Sequence, residues 1–345
     1  MIVIKQGKGP NPLIGFRVEE AVVTPVGQDL RRPECILAER DGSLWAADAR
    51  GGVMHIASDG SQRLITQAPD PHFDVSRDAA ASLLEGTLPN GLAFAGNGDI
   101  LISNFGTDRL EVMTRDGATR VLLDRVDGRP PGKINFVLRD RRDRIWITVS
   151  TQVNPWSDAI RRDLADGCII LLDGKGARIV ADGFHFTNEI RLDEREEWLY
   201  VAETTAKRVT RLRVQADGAL TDREIYGPAS LGDGMIDGIA FDAYGNLWAT
   251  MIFADRLIAI TPDGEMLELF ADGDPEAVRA LETAFTGGGP VPFDLLMKAR
   301  GRLCPWLASV TFGGPDLRTV HLGSLLGTSI PTFRSPVPGL PMVHW

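Results

Sequence analysis

Three stretches of this 345-residue chain align with one another without gaps. They begin at Pro33-Glu34, Ile134-Asn135 and Ile236-Asp237, and each sets a polar anchor eleven residues before a tryptophan: Trp45, Trp146 and Trp248. Weaker copies start at Asn90, Asn188 and Ser309. The six anchors, Glu34, Asn90, Asn135, Asn188, Asp237 and Ser309, are separated by 56, 45, 53, 49 and 72 residues. A repeat within or above the length of a propeller blade leaves few other architectures open.

Each copy also carries the punctuation of a small antiparallel sheet. An alternating run follows the anchor, as in Gly91-Leu-Ala-Phe94 and Gly238-Ile-Ala-Phe241. Asp41-Gly42, Asn97-Gly98 and Gly245-Asn246 then supply the residues that tolerate positive φ in a tight hairpin. A third run ends at another Asp-Gly pair, at 59–60, 116–117, 217–218 and 263–264, and a fourth follows. Four strands per repeat predict an all-β chain: a single domain over 1–345 that is a six-bladed β-propeller with four-stranded antiparallel blades. The last copy holds only three strands, so residues 16–23 are expected to pair with it and close the ring, because an open blade leaves an unpaired edge. Asp70 to Glu85, Asn154 to Asp166 and Asp274 to Leu303 exceed the template and predict short helical insertions over one mouth. Trp45, Trp146 and Trp248, matched on second strands, read as blade core.

Charge narrows the partners. There are 37 Lys and Arg against 47 Asp and Glu, a net charge of −10 with no basic stripe, which argues against nucleic acid or an anionic membrane surface. No window approaches the roughly 18 apolar residues of a membrane span. Cys35, Cys168 and Cys304 are far apart, with no Cys-x-x-Cys, which predicts neither a disulfide framework nor a thiolate zinc site. With no apolar signal-peptide core in Met1 to Pro12, the reading is cytoplasmic.

The first strand of a propeller blade lines the central channel, so the six anchors are expected to converge on the axis. Two carboxylates and several carboxamides facing a narrow channel require a partner, since unpaired buried charge costs several kcal/mol. Oxygen donors without His or thiolate suit a hard cation, Ca²⁺ first, then Mg²⁺ or Mn²⁺. Asn90, followed by Gly91, reads equally as a turn residue or a ligand. A Gly-x-Ser-x-Gly elbow is absent, which removes the usual serine-hydrolase signature.

The segments Pro33-Glu34 with Gly42-Ser-Leu-Trp45, Thr187-Asn188 with Leu199-Tyr-Val-Ala-Glu-Thr204, and Asp237 to Ala249 resemble the regucalcin and gluconolactonase family of six-bladed propellers, across roughly residues 30 to 335. The chain departs from that pattern in having Cys35-Ile36 after Glu34 and Phe136 after Asn135. The resemblance implies one divalent cation, Ca²⁺ before Mg²⁺, Mn²⁺ or Zn²⁺, held by Glu34, Asn135, Asn188 and Asp237. It also implies hydrolysis of sugar-acid or related small lactones by an activated water, with Asp237 as general base and Glu34 sharing that role. Asn90, Lys133, Asn135, His185 and Trp156 are the expected substrate contacts, with Trp156 in the lid insertion. Phe184-His-Phe-Thr-Asn188 and Ala202-Glu-Thr204 also look like strictosidine-synthase-like and paraoxonase-like propellers, whose chemistry need not use the ion. A non-catalytic propeller that binds a metabolite or holds calcium is the third reading.

Overall fold

The computed structural model describes residues 9–67, 83 and 87–345. The insertion expected over Asp70 to Glu85 lies, apart from Leu83, outside the described residues. Among those described, the strands form six four-stranded antiparallel sheets. The innermost strands are Ile36–Ala38, Pro89–Phe94, Ile134–Arg139, Thr187–Leu192, Met235–Phe241 and Leu307–Gly313. Each touches the innermost strands of the blades on either side, so the six close into a ring. This is the six-bladed propeller read from the repeats.

Side-chain chemistry explains the repeat template. Trp146 and Trp248 are fully buried between blades, and each indole donates to an acid on its own hairpin: Nε1 to Asp140 Oδ2 and to Asp242 Oδ2, both at 2.9 Å. Trp45 does the same with Glu39 Oε2 at 2.6 Å. The acid stands five residues after each anchor, so one apolar plug and one buried hydrogen bond recur in three blades. Close packing of neighbouring blades also demands glycine after an anchor: a Cβ on Gly238 would lie 2.5 Å from the Ala308 carbonyl oxygen.

The ring closes through the N-terminal segment, but not over the span expected. The closing strand is Thr24–Val26, paired antiparallel with Ile330–Arg334, while Glu20–Val22 forms a 3-10 turn. Val18 instead donates its N–H to the Leu269 carbonyl at 2.8 Å, which ties this stretch to the neighbouring blade. Pro25 hides the strand in the sequence. At the edge of the sheet, opposite Pro331, its missing N–H costs nothing. The insertion at 274–303 contains the helices Pro275–Gly287 and Phe293–Lys298, the first capped by Asp274, which accepts from the N–H groups of Glu276 and Ala277. They pack in one apolar cluster with Trp156, Phe105 and Phe186, over the mouth where the innermost strands begin. At the other mouth, Leu340 bonds the Phe241 carbonyl at 2.8 Å and His344 Nε2 meets the Ala38 oxygen at 3.0 Å, so residues 340–345 lie across the channel. No helix among the described residues is long and apolar enough to cross a membrane.

One buried histidine makes the closing blade acid-sensitive. His321, 5% exposed, has Nδ1 3.1 Å from Thr332 Oγ1, and burial pushes its pKa down from 6.5 to about 4. The unfolded chain therefore binds this proton first. The stability that His321 contributes is complete above pH 6.5 and is lost as pH falls through 4, a loss of about 3 kcal/mol. Urea midpoints at pH 7 and pH 4.5 are expected to converge in His321→Gln relative to the parent. An unchanged pH slope in the variant would remove His321 from the account.

Candidate active site

The innermost strands aim the anchors at the axis by a device common to five blades. Among the described residues, the register of the inner pair shifts between Pro89 and Leu92, Ile134 and Val137, Thr187 and Ile190, Ile236 and Ile239, and Leu307 and Ser309. Such bulges re-aim side chains and recur beside active sites. The extra residue needs its N–H satisfied: Phe136 donates to Thr148 Oγ1 at 3.0 Å and Gly238 to Thr250 Oγ1 at 2.8 Å.

Asn90, Asn135, Asn188 and Asp237, from four of these strands, line one cavity at the mouth together with Glu34, which precedes the unshifted inner strand Ile36–Ala38. Two anchors are committed to protein partners. Asn90 donates to Glu34 Oε1 at 2.9 Å and to the Asn135 carbonyl at 3.0 Å, and its own oxygen accepts from Arg32. Ser309 donates to the Glu34 carbonyl. The other four each keep a buried oxygen without a hydrogen-bond donor: Glu34 Oε2, Asn135 Oδ1, Asn188 Oδ1 and Asp237 Oδ1. Thr204 Oγ1 accepts from the Asn188 amide at 3.2 Å, which leaves the carbonyl end of that side chain free.

Electrostatics give the same picture. Burial is the main cause that pushes Glu34 up to about 8, opposed by Arg32 and the Asn90 amide and reinforced by Glu189. Burial, with Glu34 and Glu189 adding repulsion, raises the Asp237 carboxyl well above its ordinary value, opposed by Arg32 and Asn188. Glu189, deeper in the wall, accepts from the Ile239 N–H at 3.2 Å and pairs with Arg191 at 2.9 Å, yet burial still pushes it up to about 7. Arg32 Nη1 lies 3.8 Å from Glu34 Oε2, so one fixed positive charge faces two carboxylates at the mouth.

Four donor-starved oxygens and a deficit of positive charge fit a hard divalent cation, and an all-oxygen set suits Ca²⁺ before softer ions. Among the described residues, no three His, Cys, Asp or Glu side chains cluster, so any such site depends on the carboxamides.

The remaining expected contacts divide. Trp156 lines the cavity, its Nε1 donating to the Leu83 carbonyl at 2.8 Å. Lys133 does not line it; its ammonium pairs with Asp108 Oδ1 at 3.1 Å. His185 is also outside the lining, its backbone N–H anchored to Glu203 Oε2 at 3.0 Å. Cys35 is buried, and burial raises its thiol pKa, which makes it packing rather than a nucleophile.

Sequence reasoning missed Arg32. It donates to the Pro89 carbonyl at 2.9 Å and to Asn90, and so braces both Asn90 and Glu34. One signal was present: two residues before the anchors stand Arg32, Leu88, Lys133, Phe186, Met235 and Leu307, so a cation there breaks a mostly apolar position. Arg32, Phe186 and Phe253 all line the cavity with positive φ, at 56°, 54° and 69°. A bulky residue held there costs on the order of 1–3 kcal/mol, so packing around the mouth over-determines these three.

A six-bladed propeller whose inner strands bring oxygen donors to one mouth defines the class. The model of the SMP-30/gluconolactonase/LRE-like region matches residues 32–287, and the chain belongs to that family. It is 24% identical over 165 residues to a 6-deoxy-6-sulfogluconolactonase of Pseudomonas putida, a match covering 47% of this chain and 46% of that protein. The chain thus matches about half the length of that relative. Its fold is similar to a gluconolactonase from Xanthomonas campestris, with a TM-score of 0.63, 18% identity and 94% of each chain covered. It is also similar to a calcium-binding regucalcin from Agrobacterium tumefaciens, with a TM-score of 0.62, 14% identity and 92% of each chain covered.

Proposed function

We propose that this chain hydrolyses small lactones with the help of one divalent cation held by Glu34, Asn135, Asn188 and Asp237. The observation that carries the reading is the set of four buried oxygens, from four blades, that no protein donor satisfies. Family membership and the sulfogluconolactonase relative support lactone chemistry, and the calcium-binding neighbour supports the choice of ion. When bound, the cation supplies positive charge that polarises a carbonyl and acidifies water.

The chain's own residues do the rest. Asp237 takes the proton of the attacking water on the carboxylate oxygen that the cation leaves free. Glu34 lies beside it, fixed by Asn90 and Arg32. Asn135 orients the carbonyl end of the substrate, and the Thr204 hydroxyl holds the Asn188 amide so that its oxygen stays free for the cation. Trp156 and its apolar neighbours keep bulk water from the reacting atoms.

Chelator-treated protein is expected to lose lactone hydrolysis and to regain it on adding Ca²⁺. At about a hundredfold excess over the dissociation constant, the ion adds ~2.7 kcal/mol to stability, a rise of roughly 4 °C in Tm. Glu34→Gln is expected to abolish most of that rise. Full turnover after complete removal of the ion would favour cation-free ester chemistry, and ion binding without turnover on any lactone would leave a binding protein.

A further inference from the structure

The cavity has two chemically distinct parts. Among the described residues, the charged and carboxamide groups lie at the floor, while Phe105, Trp156, Ile160, Phe186, Phe253 and Leu325 build the wall. Three of the aromatic members form a continuous arc, with ring centroids 6.1 Å apart for Phe105 and Trp156 and 6.4 Å apart for Trp156 and Phe186. Among the described residues the wall offers no free polar group, because the Trp156 N–H is already given to the Leu83 carbonyl. The space enclosed, about 480 Å³ with its open mouth, suits a small molecule.

Resting on the hydrolase reading above, we infer that the substrate is a lactone whose body is an aromatic ring, seated on this wall with its carbonyl at the floor, rather than a polyhydroxylated sugar lactone. A sugar lactone carries hydroxyl groups on nearly every carbon. Each one buried against this wall loses its water without gaining a partner, which costs roughly tenfold or more in affinity. An aromatic ring gains from the same surface by apolar burial and edge-to-face contact. Two wall aromatics, Phe186 and Phe253, are held at positive φ, so the backbone is strained to present them.

The test pairs turnover with binding. On the Ca²⁺-supplemented full chain, kcat/KM for 3,4-dihydrocoumarin is expected to exceed that for D-glucono-1,5-lactone by about thirtyfold or more. Calorimetry with the carbocyclic ketone 2-tetralone, which cannot be hydrolysed, is expected to give a Kd about tenfold or more below that of D-gluconate. Trp156→Ala is expected to reduce the dihydrocoumarin preference about tenfold, in protein whose melting confirms folding. Equal or faster turnover of gluconolactone overturns the inference and leaves the lactonase reading standing. Binding of 2-tetralone with no lactone hydrolysed removes the lactonase reading and upholds the aromatic ligand. Absence of 2-tetralone binding overturns the inference whatever the turnover.

Discussion

Asp237→Asn is expected to lower kcat/KM on the best lactone by about 10³-fold, the scale of losing a general base together with part of the charge that gathers the site. The substitution keeps the shape of the side chain. It sits in the bulged strand Met235–Phe241, whose Gly238 N–H stays bonded to Thr250 at 2.8 Å, so the backbone has no reason to move. Removing a carboxylate that burial already disfavours also relieves repulsion from Glu34 and Glu189. The cation-free variant is therefore expected to be at least as stable as the parent while losing activity. That opposition separates a site residue from a structural one. A variant that melts like the parent, no longer binds Ca²⁺ by calorimetry, and still hydrolyses at the parental rate would retire the mechanism.

Removal of the acid beneath a blade tryptophan is expected to do the reverse: large damage to stability, with chemistry affected only through unfolding. Asp140 is fully buried and accepts from Arg144 Nε at 2.6 Å, from Trp146 Nε1 at 2.9 Å and from the N–H groups of Arg142 and Arg144 at 2.9 Å. Arg144 also lies over the Trp146 ring, 5.1 Å from its centroid. Asp140→Ala leaves the guanidinium and the indole N–H unpaired in a dry setting, which costs about 3–5 kcal/mol. Glu39→Ala, in the first blade, is expected to cost less. That carboxylate is 24% exposed and its ion-pair partner Arg115 44% exposed, so water replaces much of what is lost. Urea denaturation with an unchanged m-value measures both. A loss below about 1 kcal/mol for Asp140→Ala would contradict the buried-pair account.

Both sets of residues were marked in the sequence. The anchors and the tryptophans recur at matched positions, and recurrence at a fixed offset marks a shared structural environment even before any contact is known. The acid five residues after the anchor carried the same mark in Glu39, Asp140 and Asp242. The closing strand escaped because Pro25 and its brevity, Thr24–Val26, look like a loop until Pro331 is found opposite. Glu189 and the wall aromatics other than Trp156 escaped for another reason: no repeat position sets them apart, and Arg32 was marked only as a cation at a position that is apolar in four of the six copies. Nothing near Lys133 in the chain announces that its ammonium would pair with Asp108.

Blade number, strand number and the identity of the residues at the axis follow from residue order alone, because hydrophobic alternation, turn chemistry and repeat spacing act over a few neighbours. What each axial residue has left to offer a ligand is a different kind of property. Asn90 is satisfied by Arg32, 58 positions away, and Ser309 by the carbonyl of Glu34, 275 positions away, whereas the oxygens of Glu34, Asn135, Asn188 and Asp237 find no donor. Ring closure brings these distant groups together, and the desolvation it imposes leaves four ordinary polar side chains with unmet oxygens at one mouth, the feature on which the proposed cation rests.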